Sequence, residues 1–352
     1  MAYRYPSGSN TFVPSFEATH LIVSATRDPG EFKLAKWMQY VPVDERVFYY
    51  LKLDLDEPAR VVTSQEYEWA PGQAAPNYDN IGTFQFVQAS TIKYAYPWVL
   101  PEEALDQAAW DIKSSQMGIV QSKMMTNRTI LASSLLQTSS NWPSTNTDLA
   151  NNLNGGAGKW NTASDDPASA YFLAIRKSLV AAMTASILYT NATMKWKDFK
   201  LVISPPLANI LGNSAEIYNY VKGSPDAQDR QLGKNNTTGE FNAPPEYANV
   251  ELVVEDAVKV TTRPNATSGF GVGATRGWVW QDANPILVAR KGGLVAQYGG
   301  NALATTQMYF YREAQVYTKS DPDNERMMGR VVDDLKTLLP FPQSGYSIQQ
   351  VV

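Results

Sequence analysis

The chain has 352 residues, of which 18% are charged and 44% apolar, with a formal net charge of −4, no cysteine and a single histidine, His20. These counts exclude disulfides, thiolate metal sites, cysteine nucleophiles and two-histidine metal centres. The acidic balance lacks the basic character that phosphate-backbone binding needs, and no apolar run approaches the ~20 residues that span a bilayer.

Residues 1–45 read as an extended aromatic arm. Pro6, Pro14, Pro29 and Pro42 interrupt any helix there. The run VFYYLKLDL, 47–55, ends in alternation, with Leu51, Leu53 and Leu55 on a buried face and Lys52 and Asp54 opposite. Strands are expected at 60–69 and 83–96, pairing as a long hairpin around the turn-rich tip 70–80. Pro101 opens a helical pattern that continues to Gln137. Glu102 and Glu103 favour its positive end.

Residues 138–164 read as a polar loop anchored by Trp142 and Trp160. Asp166-Pro167 predicts a helix start, followed by PASAYFLAIRKSLVAAMTASIL. A strand is expected at 200–204, then short helices near 205–212 and 214–222. The loop 223–247 is polar. Strands are predicted at 249–262, 276–281 and 285–290, a Gly-rich loop at 291–305, and two long strands at 306–319 and 325–338 joined by the turn 320–323. The class is α+β with long-range strand pairing.

The motifs that suggest chemistry dissolve on inspection. GGAGKW, 155–160, lacks the Walker spacing, and Trp160 stands where Ser or Thr belongs. GFGVG, 269–273, is followed by a strand rather than a helix. Asp54, Asp56 and Glu57 lack the EF-hand pattern. The adjacent carboxylates Asp165-Asp166 and Asp333-Asp334 diverge by position, and His20 beside Leu21-Ile22-Val23 reads as structural. No catalytic residue, metal ligand or cofactor site is expected.

The order of elements and four stretches carry a resemblance instead. TIKYAYPWVLPEEALDQA (91–108), WNTASDDPASAYFLAIRKSL (160–179), KLVISPPLANILGNSAEIYNYVKG (200–223) and GWVWQDANPILVARKG (277–292) are similar to the recurrent pattern of tailed-bacteriophage major capsid proteins. Encapsulin shells and the herpesvirus capsid floor share that fold. The resemblance implies an N-terminal arm at 1–45, a strand and turn at 46–59 and an extended E-loop at 60–96. It implies a peripheral domain at 97–187 with a spine helix at 101–137, an axial domain at 188–305, and terminal peripheral strands with a tail at 306–352. It further implies inter-subunit contacts at Tyr3, Tyr5 and Phe12 in the arm, and at Trp69, Pro71 and Tyr78 in the hairpin. Arg230 and Lys234 in the loop 223–247 and Asp321 and Asp323 in the terminal turn complete that set.

The function so implied is a self-assembling virion shell subunit without enzymatic activity. It forms pentamers and hexamers around double-stranded DNA that it does not bind specifically. Its other partners would be separate scaffolding, portal and decoration proteins, met in the host cytoplasm. The alternatives are an encapsulin-type nanocompartment shell and, from another class, an α+β enzyme with Gly-rich lid loops.

Overall fold

The computed structural model describes residues 13–26, 32–53, 84–108, 111–189, 195–222, 243–261, 275–290 and 304–352. The chain enters on β1 (Val13–Pro14) and turns at once into helix α1 (Phe16–Thr26). The segment is therefore not an extended arm throughout. Pro14 precedes the helix rather than interrupting it, and the Ser15 carbonyl accepts from both the amide and the hydroxyl of Thr19. A short helix α2 (Leu34–Trp37) and strand β2 (Gln39–Pro42) follow.

Strands β3 (Val47–Leu53) and β4 (Phe84–Ser90) form a two-stranded antiparallel ribbon, with Val47 opposite Ser90 and Leu51 opposite Phe86. The partner of β4 is thus 47–53. The expected strand 60–69 and tip 70–80 lie outside the described residues. At Thr91 the chain breaks step, its amide donating to the Arg46 carbonyl, and continues as β5 (Ile92–Pro101).

The predicted single helix from Pro101 to Gln137 is two helices, α3 (Glu102–Gln107) and α4 (Ile112–Leu136). Ala108 is extended. Asp111 then caps α4, its carboxylate accepting from the amides of Lys113 and Ser114. The 25 residues of α4 span ~37 Å at 1.5 Å per residue.

Beyond α4 lie β6 (Thr147–Leu149) and α5 (Ala150–Leu153), inside the segment expected to be a loop. Both anchors predicted there are buried. Trp142 Nε1 donates to the Leu136 carbonyl and Trp160 Nε1 to Ser178 Oγ. Helix α6 (Ala174–Tyr189) starts seven residues later than Asp166-Pro167 suggested. Asp166 instead closes a local turn onto the Ala168 amide, and Leu173 is left-handed at φ 51°.

The stretch 199–221 matches expectation closely: β7 (Phe199–Ile203), α7 (Pro205–Gly212) and α8 (Ala215–Val221). Ser204 and Ser214 cap the two helices through the amides of Leu207 and Ile217, and Pro205 and Pro206 fill a first turn that needs no donor. The remaining strands are β8 (Glu246–Tyr247), β9 (Val250–Val254), β10 (Val258–Val260), β11 (Arg276–Trp278), β12 (Ile286–Ala289), β13 (Gln307–Asp321), β14 (Arg326–Leu338) and β15 (Tyr346–Gln349).

Two sheets organise these elements. One runs β1-β13-β14-β5, with β2 also pairing parallel to β13. The other runs β6-β15-β12-β7-β9-β8. Its middle strands are apolar on both faces, as a sheet covered on both sides requires. Leu201, Ile203, Leu287 and Ala289 face a core built with Trp160, Leu179 and Leu207, while Val202, Ile286 and Val288 face a second core. That second core holds Trp37, Met124, Trp280 and Val316, between α4 and the β13–β14 sheet. The six-stranded sheet is therefore the wall between two cores.

Candidate assembly surfaces

A buried polar link fixes α4 to the long strands. Arg128 and Asp333 are both fully buried and pair through two bonds, Nε–Oδ2 at 2.7 Å and Nη2–Oδ1 at 2.9 Å. Glu313 lies 3.4 Å from the guanidinium, whose flat face sits 4.5 Å from the Phe310 ring centroid. Strand β13 is irregular between Phe310 and Gln315, and there the Ala314 amide donates to Asp333. Burial alone would lower the Arg128 pKa, but the Asp333 carboxylate holds it above the ordinary arginine value. The neighbouring Asp334 diverges, as adjacent positions on a strand require, and takes Arg46 at 2.9 Å. Arg46 stands at the foot of the β3–β4 ribbon, so this pair ties the ribbon to the sheet.

The ribbon itself has two apolar faces. On the inner one, Phe48 stacks on Tyr309 at 4.8 Å and Tyr50 lies 6.2 Å from the same ring. On the outer one, Val47, Tyr49 and Phe86 are exposed, the last two at 66% and 63%. Leu51 shares the face of Tyr49, so the face predicted to be buried is the outer one at Leu51, while Leu55 lies outside the described residues. With apolar residues on both sides, alternation alone cannot say which side turns inward.

A second ribbon, β10–β11, stands beside the outer surface of α4. Between them runs a groove of about 680 Å³ lined by Ile119, Ile130, Val258 and Val260, with small polar residues of α4 such as Ser115 and Ser122 as its floor. Exposed Ile119 and Ile130 belong to the apolar pattern of the helix but not to its buried stripe, which is Val120, Met124, Ala132 and Leu136.

A third concavity, about 570 Å³, opens beside the first turns of α6. Arg176, Lys177, Val180 and Ala181 of that helix line it, with Leu153, Trp196 and the left-handed pair Ala248-Asn249. Beneath it, Glu216 of α8 is buried. Its carboxylate accepts from the amides of Ile175 and Arg176 and from the Tyr247 hydroxyl. Burial raises the Glu216 pKa, although those bonds oppose the shift.

Of the predicted contact residues, Asp321 and Asp323 fall among the described ones, at the β13–β14 turn. Asp321 accepts from Asn324 Nδ2 at 3.0 Å and Arg326 Nε at 2.9 Å, which hold its carboxyl below the usual range. Asp323 is exposed. Tyr3, Tyr5, Phe12, Trp69, Pro71, Tyr78, Arg230 and Lys234 lie outside the described residues. Tyr49, Phe86, Val258 and Val260 were missed. Their signal was apolar residues on both faces of β3 and β4 and an apolar Val258–Val260 face on β10.

Several of the motifs set aside in the sequence fall among the described residues. In GGAGKW the Ala157 and Gly158 amides are taken by the side chains of Asn154 and Asn151. His20 sits exposed on α1 rather than packed in a core. Among the described residues no three His, Asp or Glu side chains gather to hold a metal ion. GFGVG lies outside the described residues.

No family model matches the chain, and no curated protein matches it in sequence. In structure it is similar to a phage-related protein from Bordetella bronchiseptica RB50, with a TM-score of 0.61 and 15% identity over 97% of this chain and 99% of that one. The chain shares the overall fold of that protein. Its class is α+β, as the sequence predicts. The mature capsid of bacteriophage PhiM1 aligns at a TM-score of 0.49 and 10% identity, over 99% of this chain and 91% of that one. The capsid of cyanophage P-SCSP1u aligns at 0.48 and 10%, over 99% and 92%.

Proposed function

We propose that this chain is a major capsid subunit of a tailed phage. Copies associate as pentamers and hexamers and close an icosahedral shell around double-stranded DNA. The observation that carries the reading is the whole-length likeness in fold to a phage-related protein. The exposed apolar faces of the two ribbons support it, because isolated two-stranded ribbons gain little stability of their own and such faces suit coverage by neighbours.

In this reading 1–45 is the arm, 46–59 the strand and turn leading to the E-loop, 60–96 the E-loop, 97–187 and 306–352 the peripheral domain with its C-terminal tail, and 188–305 the axial domain. Scaffolding, portal and decoration proteins are separate chains that join it in the host cytoplasm, and its final location is the virion. DNA is enclosed without specific contacts, in keeping with a net charge of −4.

The test is sedimentation and negative-stain imaging of the purified chain, with the content of particles from producing cells measured by nuclease and protein assay. Closed particles containing DNA are expected. A monodisperse monomer at every concentration would overturn the shell reading. Particles filled with cargo protein and free of DNA would replace the phage capsid with a nanocompartment.

A further inference from the structure

Two exposed patches of opposite charge lie on separate elements of this chain. The first is the trough beside α6. Arg176 and Lys177 are exposed at its rim, and neither has an ion pair among the described residues. Arg176 lies within electrostatic range of Glu216, but that carboxylate is buried and already accepts three hydrogen bonds. Trp196 forms an apolar wall, 38% exposed, and Val180 and Ala181 supply further apolar lining. No carboxylate lines the trough. Its chemistry selects an acidic segment that also carries small apolar groups.

The second patch is α3, sequence EEALDQ. Glu102, Glu103 and Asp106 are exposed and have no ion pair among the described residues. No Lys or Arg occurs between Pro101 and Ile112, so no cation adjacent in sequence offsets them. Leu105 packs inward on the second core, which leaves the acidic side of the helix outward. Ala104 is the small apolar residue among these acids.

We infer that α3 of one copy docks its carboxylates against Arg176 and Lys177 in the trough of the next copy. The two patches are different surfaces of one chain, so the contact is head-to-tail, the kind that closes rings when the rotation permits. Charge complementarity at a rim sets register and disfavours wrong pairings, because like charges brought together are costly. The inference rests on the shell reading above and names one contact within it.

The experiment is a charge-exchange cycle on the full chain. Wild type is compared with R176E/K177E, with E102K/E103K and with the fourfold variant, by particle yield in sedimentation at low salt. All four positions are exposed, and melting transitions measured alongside separate a loss of assembly from a loss of folding, above all for R176E, which sets a second carboxylate near Glu216. Each double variant should lose about tenfold in yield and the fourfold variant should recover most of it, since the exchange restores opposite charges across the contact. The neutral variant R176Q/K177Q should fall between wild type and R176E/K177E, and wild-type yield should drop as salt screens the pair. Double variants that assemble like wild type, or a fourfold variant no better than either double, would overturn the contact while leaving the shell standing. A wild-type chain that forms no particles would remove the shell reading and this contact together.

Discussion

The strands β7 and β12 and the ribbon β3–β4 are all rich in apolar residues, yet they have opposite fates. In β7 and β12 every residue from Leu201 to Ile203 and from Ile286 to Ala289 is buried, because a core lies on each side of their sheet. In the ribbon the Phe48 side packs on Tyr309, while Tyr49 and Phe86 are exposed among the described residues. Apolar content on both faces of a strand therefore means either a central strand or a surface awaiting a partner. What decides is whether the chain holds enough other elements to cover both sides.

The interior side of this comparison breaks hardest at the buried Arg128–Asp333 pair. Arg128→Met leaves Asp333 with an uncompensated charge in the core, with the Ala314 amide still donating to it. Breaking such a pair from one side costs about 3–5 kcal/mol. Urea unfolding of a soluble, unassembled form should show a midpoint lowered to match. Replacing both partners, Arg128→Met with Asp333→Leu, should recover a large part of the loss. A single variant within ~0.5 kcal/mol of wild type would mean that the pair is not desolvated as the structure has it.

That pair also marks where sequence reading reached its limit. Segment 199–221 was legible because each boundary is local: a serine cap, two prolines, then a second serine cap. Helix α4 was legible as a helix but not in its start, since Asp111 resets the chain after Ala108 and a continuous apolar pattern hides the break. The start of α6 was misplaced because its first amides are capped from α8, by Glu216, forty residues away in sequence. Strand β15 was absent from the reading. Its partners β12 and β6 are distant, and four residues give no periodicity to read. The sequence analysis read Asp333 only as a carboxylate diverging from Asp334 and gave no reading of Arg128, because nothing local shows that strands and helix close over the pair. The trough at α6 was likewise invisible, being assembled from four separate stretches of chain.

A smaller effect sharpens the comparison where two strands of the first sheet cross an aromatic side chain. Gly329 on β14 lies opposite Trp98 on β5, and a Cβ added there would come within 2.1 Å of the indole. Gly329→Ala must push the buried Trp98 ring aside, at a cost of about 1–3 kcal/mol for overpacking. The check is the thermal midpoint together with Trp98 fluorescence, compared against a Trp98→Phe background. Relief of the penalty in that background is expected, and an equal penalty in both would place the clash elsewhere.

The smallest effect on stability is expected at the outer face of the ribbon, and it separates folding from assembly most cleanly. Phe48 and Tyr49 are adjacent in sequence and lie on opposite faces of β3. Phe48→Ala removes a buried ring from its stack on Tyr309 and should cost about 3 kcal/mol, at the lower end for such truncations. Tyr49→Ser and Phe86→Ser remove side chains that already meet solvent, so monomer stability should move by no more than ~0.5 kcal/mol. If a neighbouring copy covers that face, the same two changes should still depress particle yield strongly, because large aromatic side chains are the ones that dominate binding energy at interfaces. Unfolding midpoints and sedimentation on the same three variants decide the matter. Phe48→Ala should fail in both measurements, and Tyr49→Ser with Phe86→Ser in sedimentation alone. Normal particle yield from the outer-face variants would show that this face stays open to solvent in the assembly, and the exposed apolar residues of the ribbon would then need another partner.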